Sequence, residues 1–272
     1  MIPKVPPASR LPPFRRIRIA ILVGVLLFTA AWGAATSYRR WARGHWARPL
    51  QVGLVLLSPA GEIDATRWQA GAAALSARLN AEMRRWRGPG AIPFELSVVG
   101  PVAWNRPLPF SPPSESPLDR AWHAIDVWRT VRGIDQAAGG GAGGFDVRVF
   151  FLASSLQGDQ VGFAEGSGAL NGEVAFVRGS PGGDLSIPLQ AIGHELLHTV
   201  GASDKYDEGG HSREPEGLAD PDRVPRYPQD HAEWMVGEVA IAPGRGRLPA
   251  SIAELRVGPA TAREIGWVPA SR

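Results

Sequence analysis

His194-Glu195-Leu196-Leu197-His198 sets two imidazoles four residues apart, with a glutamate directly after the first. On an α-helix such positions share one face, with Cβ atoms about 5–6 Å apart. Both rings can then reach one ion at Zn–N distances of about 2.0–2.1 Å. Glu195 projects beside that ion, where a general base for an activated water stands. Gly201, three residues past His198, tolerates φ > 0 and lets the chain turn sharply. That turn carries Asp204 back towards the same point as a third ligand. Two histidines and a carboxylate are a competent zinc set that leaves a fourth position for water. The chemistry implied is zinc-assisted hydrolysis, with a peptide or protein as the expected substrate.

Other polar residues near the motif compete for these roles. Asp207, Glu208, His211 and Glu214 follow closely, but Gly209-Gly210 and the prolines leave no helix to present a glutamate. Asp207 and Glu208 read as a solvated turn or a structural cation site. Tyr206, Tyr227, His211 and His231 could each donate a hydrogen bond to a tetrahedral oxyanion, or be ordinary loop residues. His45 and His123 read as structural. Gly139–Gly144 (GGGAGG) lacks the Lys-Ser/Thr of a phosphate-binding loop and reads as a connector.

The elements that must position this chemistry follow from periodicity. The motif helix can be capped by Asp184 or Ser186, takes Pro188 in its first turn, and ends with Gly201 at C′. Leu189, Ile192, Leu196 and Val200 form its apolar back. Leu50–Leu57, Phe94–Val99, Asp146–Ala153 and Gly172–Val177 read as strands, and the glycine-rich segment after Gly162 as an edge strand above a cleft. Asp64 caps a helix whose stripe is Trp68, Ala72, Leu75, Leu79 and Met83. Ser116-Pro117 opens another, with a stripe of Leu118, Trp122, Ile125 and Trp128 expected in the core. Gly100–Pro117 reads as a surface loop, and Gly209–Asp230, with four prolines, as a long functional or mobile loop. Alternating strands and helices predict an α/β fold: a mixed, mainly parallel twisted sheet with the active-site helix and a smaller C-terminal subdomain.

Charge divides the 272-residue chain. Residues 1–61 hold nine Lys/Arg and no acid, leaving 20 basic against 26 acidic residues and a net −6 for the remainder. The high pI thus belongs to the N-terminus, and nucleic-acid binding is disfavoured. Ile19–Thr36 is free of charge and just long enough, at 1.5 Å per residue, to cross a bilayer of about 30 Å. Trp32 and Arg39-Arg40 favour a retained signal-anchor over a cleaved signal peptide. The expected layout is a cytoplasmic basic tail over 1–18, one transmembrane helix over 19–37, a juxtamembrane linker over 38–49 and a catalytic domain over 50–272 on the extracytoplasmic side. With no cysteine, disulfides and thiolate-ligated zinc are excluded.

The extended pattern His194-Glu195-x-x-His198-x-x-Gly201-x-x-Asp204 resembles the metzincin clan of zinc peptidases, in its snapalysin-like Asp form. It is also similar to membrane-anchored bacterial proteins carrying the same His194–Asp207 stretch. The resemblance implies Zn²⁺ held by His194, His198 and Asp204, with Glu195 as catalytic base. It also implies a methionine in a tight turn beneath the metal, for which Met235 is the one candidate downstream of the motif. Val257–Trp267 would then be the C-terminal helix. Two other readings remain: a non-catalytic envelope protein stabilised by zinc, and a zinc amidase acting on a non-peptide substrate.

Overall fold

The computed structural model describes residues 13–59, 63–91, 94–110, 116–154, 164–168 and 172–268. The first part of the expected basic tail, residues 1–12, lies outside them, as does most of the segment around Gly162. Two compact units result, Met1–Ala42 and Arg43–Arg272.

Helix α1 (Pro13–His45), of which the first unit holds the part up to Ala42, runs well past the uncharged stretch, because no proline interrupts Ser37–His45. An 18-residue window within Ile17–His45 has mean hydropathy 2.1 and is not buried. Such a helix could cross a membrane or serve as a signal sequence.

The second unit is a mixed α/β structure around a five-stranded sheet ordered β2-β1-β3-β5-β4. The strands are β1 (Leu50–Ser58), β2 (Phe94–Ala103), β3 (Val147–Ala153), β4 (Ala164–Gly168) and β5 (Val174–Gly179). Four are parallel and β4 is the antiparallel edge. Strand β1 is apolar on both faces because both are covered, as parallel sheets require. Leu54 and Leu56 point into one core layer while Val55 and Leu57 point into the other, the two-residue alternation of a strand.

The first layer packs helices α2 (Ala65–Arg87) and α4 (Ser186–Thr199) against the sheet. As expected, Asp64 caps α2 by accepting from the Arg67 amide at 3.1 Å, and Trp68, Ala72, Leu75, Leu79 and Met83 are buried. Each fully buried large side chain of this kind contributes about 1.5–3 kcal/mol. The second layer receives helix α3 (Pro117–Ala137) only through its C-terminal half, where Val131 and Ile134 are buried.

Two expectations need correction. The α3 stripe does not enter the core: Leu118, Trp122, Ile125 and Trp128 are all exposed, because the helix leans on the sheet by its opposite face. Strand β2 also continues beyond Gly100 to Ala103. A bulge shifts its register opposite Val55–Leu57 and accommodates Pro101 on a strand at the sheet edge.

After α4 the chain is mostly irregular. It forms two two-stranded sheets, β6 (Ala232–Glu233) with β9 (Leu255–Arg256) and β7 (Val239–Ala242) with β8 (Arg245–Arg247). The C-terminal helix, α5, is shorter than the sequence suggests, spanning Pro259–Glu264. Trp234, Met235, Leu255, Val257 and Trp267 from this region join the first core layer.

Candidate metal centre

Local rules shape helix α4. The Asp184 carboxylate accepts from the backbone N–H and hydroxyl of Ser186 at 2.9 and 2.8 Å, tightening the turn before the helix, while Leu185 occupies the cap position. Leu189, Ile192, Leu196 and Leu197 are buried on its back. At the other end Gly201 adopts φ 111°, and the Ala202 amide bonds back to Leu197 O at 3.0 Å. This αL closure is the C′ geometry that glycine favours. It turns the chain across the helix end.

The turn has two consequences. It brings Ala202 O to 2.8 Å from His198 Nδ1 and it brings Asp204 over the histidines. His194 Nδ1 faces a second carbonyl, Trp234 O, at 3.2 Å. A carbonyl can only accept, so each Nδ1 carries a proton, and each Nε2 is the atom left to face Asp204, bare in the neutral ring and donating once the ring is charged. Those Nε2 atoms lie 3.1 and 3.3 Å from one oxygen, Asp204 Oδ1. The rings stand edge to face, with centroids 4.7 Å apart.

Two imidazole lone pairs and a carboxylate oxygen meeting at one point repel unless positive charge lies among them. The titration behaviour follows. Burial disfavours a charged His198, but its hydrogen bonds to Asp204 and Ala202 O and the nearby Glu195 outweigh burial and raise its pKa. Burial likewise works to raise the Asp204 pKa, yet hydrogen bonds from both histidines hold it far below the usual carboxylate range. A divalent cation meets the same demand as a proton, and a His-His-Asp donor set suits zinc.

Glu195 is buried in the same cluster, with a ligand-type atom within 4.8 Å of those of His194 and His198. Edge strand β4 passes directly over it. A Cβ on Gly166 would collide with the Glu195 carboxylate, so only glycine permits this approach.

The Asp204 loop is fixed from several sides. Lys205, almost fully buried, donates from Nζ to Ser203 O, Ser203 Oγ and Glu264 Oε2 at 2.7, 2.7 and 2.6 Å. Its amide bonds to Met235 O at 3.1 Å, and Arg213 donates to Asp204 O at 3.0 Å. Met235 is buried in a tight turn, closed by the Val236 and Gly237 amides on Glu233 O at 3.1 and 2.9 Å, with Gly237 at φ 84°. This turn also supplies the Trp234 carbonyl that orients His194.

Of the four side chains considered for oxyanion binding, the structure brings Tyr206 to the site. Its ring stacks on His194 with centroids 6.5 Å apart. Burial, followed by the charge and hydrogen bond of Asp204 and the charge of Glu195, raises its pKa and keeps the phenol protonated. The other three are engaged elsewhere: His211 faces Glu238 at 3.5 Å, Tyr227 donates to Glu214, and His231 contacts Arg256 at 3.2 Å. Among rival ligands, Asp207 accepts from the Gly209 and His211 amides at 2.8 and 3.1 Å and so forms the expected turn. The carbonyls of Ala202 and Trp234 escape sequence reasoning, since any residue supplies one.

No protein-family model and no curated protein matches the chain. Among solved structures, it is similar to catalytically inactive OgpA from Akkermansia muciniphila in complex with an O-glycopeptide substrate, at 10% identity and TM-score 0.35. That match covers 80% of this chain and 59% of that one, so the chain spans little more than half of its length. It is also similar to archaemetzincin from Methanopyrus kandleri, at 17% identity and TM-score 0.28, over 60% of this chain and 78% of that one.

Proposed function

We propose that this chain is a membrane-anchored zinc peptidase in which His194, His198 and Asp204 hold the metal and Glu195 moves protons. The observation that carries the reading is the convergence of two Nε2 atoms on Asp204 Oδ1, with both Nδ1 atoms facing backbone carbonyls. Bound zinc would act there as a Lewis acid that polarises a carbonyl and lowers the pKa of water towards about 7.

The chain's own residues account for the rest. Glu195 accepts a proton from the attacking water as the new C–O bond forms, then passes it to the leaving nitrogen as the C–N bond breaks. The Tyr206 hydroxyl, kept protonated, donates to the oxyanion formed between those steps. Among the described residues β4 is the outer, antiparallel strand of the sheet and lies beside Glu195, so an extended peptide pairing along it would reach the site. A purely structural zinc site has no use for a buried carboxylate at Glu195, which favours the catalytic reading over a zinc-stabilised envelope protein. Helix α1 supports the anchor through its length and hydropathy, and the proposal assigns the catalytic unit to the extracytoplasmic side.

The test is cleavage of a peptide library by the full chain, abolished by a chelator and restored by zinc. Zinc bound at one equivalent with no peptide cleaved would refute the peptidase reading and leave the structural or amidase alternatives.

A further inference from the structure

The exposed face of α3 carries a second interaction chemistry, separate from the metal centre. Leu118, Trp122, Ile125 and Trp128 are 72%, 64%, 39% and 56% exposed. At 3.6 residues per turn they fall within about a third of the helix circumference, opposite the buried Val131 and Ile134. Arg129 and Arg132 fall inside the same arc, and the Arg132 guanidinium lies 5.3 Å above the Trp128 ring. Asp119 and Asp126 fall outside it. The arc is therefore apolar, twice tryptophan and only positively charged, in a unit whose sequence from residue 62 onward is net −6. Contiguous apolar surface of this kind marks a binding face.

The composition selects the occupant. Tryptophan pairs an apolar body with a polar N–H edge and prefers the headgroup level of a bilayer. Arginine lays its stem along apolar surface while its guanidinium stays among phosphates. Positive charge on the arc complements anionic headgroups, and α1 of the same chain is long and apolar enough to cross a bilayer.

We propose that α3 lies flat on a lipid surface containing anionic headgroups, with the Leu118–Trp128 arc sunk about 5–10 Å into the interface. The proposal takes its lipid from the membrane-anchored reading of α1 and is independent of the hydrolytic one. Docking α3 gives the catalytic unit a contact with the membrane besides its tether.

Because the chain has no cysteine, single labels report positions cleanly. The full chain, reconstituted in vesicles of phosphatidylcholine and phosphatidylglycerol, is labelled with an environment-sensitive fluorophore at Ala121→Cys on the arc. Val224→Cys, 93% exposed in a loop, is the solvent control, and Leu26→Cys reports α1 itself. Brominated lipids are expected to quench the label at 121 about threefold more than at 224. Arg129→Glu with Arg132→Glu should remove that difference on these vesicles. Quenching at 26 with equal, weak quenching at 121 and 224 would overturn the docking while leaving the anchor intact. Loss of quenching at 26 as well would overturn both. Self-association of pyrene labels at 121, without lipid quenching, would assign the face to a second copy and overturn the lipid proposal.

Discussion

His194 and His198 each commit one ring nitrogen to a backbone carbonyl, and that leaves the other nitrogen with a fixed role. The same logic gives Tyr206 its test. Its phenol is stacked on His194 and stays protonated beside Asp204 and Glu195, so it is placed to donate but not to ligate. Tyr206→Phe should lower kcat about 10²-fold with zinc content and KM little changed. A variant with unaltered kcat would remove Tyr206 from the proposed chemistry. A second buried carboxylate, Glu233, shows how the surrounding turn responds to pH. Burial raises its pKa to about 7, against hydrogen bonds from Thr261, Gly258 and Met235 and the charge of Lys205. The folded value lies above the ordinary 4.5. The folded state therefore holds the proton more tightly, and this stabilisation is complete below pH 4.5 and disappears as pH rises through about 7. Denaturation curves should show the wild type losing stability relative to Glu233→Gln across that window. A difference that does not change with pH would contradict the burial argument.

Strand β4 approaches Glu195 of helix α4 at Gly166. A side chain at 166 must displace either the strand or the Glu195 carboxylate. Gly166→Ala should retain zinc yet lose about 10²-fold in kcat/KM, the scale of a 1 Å misplacement at a reacting group. Wild-type kinetics would mean that β4 does not constrain Glu195. The sequence made α4, α2 and the parallel strands legible because their signals are local: an i, i+4 histidine pair, an Asp64 cap, continuous apolar runs between turns. The position of Asp204 was legible through Gly201, whose φ of 111° the turn uses. Helix α3 was not legible in the same way. Its period shows that one side is apolar, but not that Val131 and Ile134 are the buried residues while Trp122 and Trp128 face outward. The orienting carbonyls of Ala202 and Trp234 were invisible because backbone oxygen has no residue signature. Lys205 has no signature in the sequence for a related reason, since the carboxylate it pairs with, Glu264, is distant in sequence.

Across the whole chain, composition separates a basic, apolar N-terminus from an acidic folded unit beginning at Arg43. Trp46 belongs to that unit: it is buried, packs edge to face with Phe94 at 5.1 Å and donates to Ile265 O at 2.7 Å. The C-terminal elements likewise share the first core layer with α2 and α4, so the metal loop, the Met235 turn and the active-site helix rest on one packed body. The proposed division of labour within that body assigns binding to His194, His198 and Asp204 and proton transfer to Glu195. The most direct test measures zinc content and peptide hydrolysis on the same purified sample of Glu195→Gln, alongside wild type and His198→Ala. The account predicts one zinc and no hydrolysis for Glu195→Gln, and loss of both for His198→Ala. Undiminished hydrolysis by zinc-loaded Glu195→Gln would contradict it.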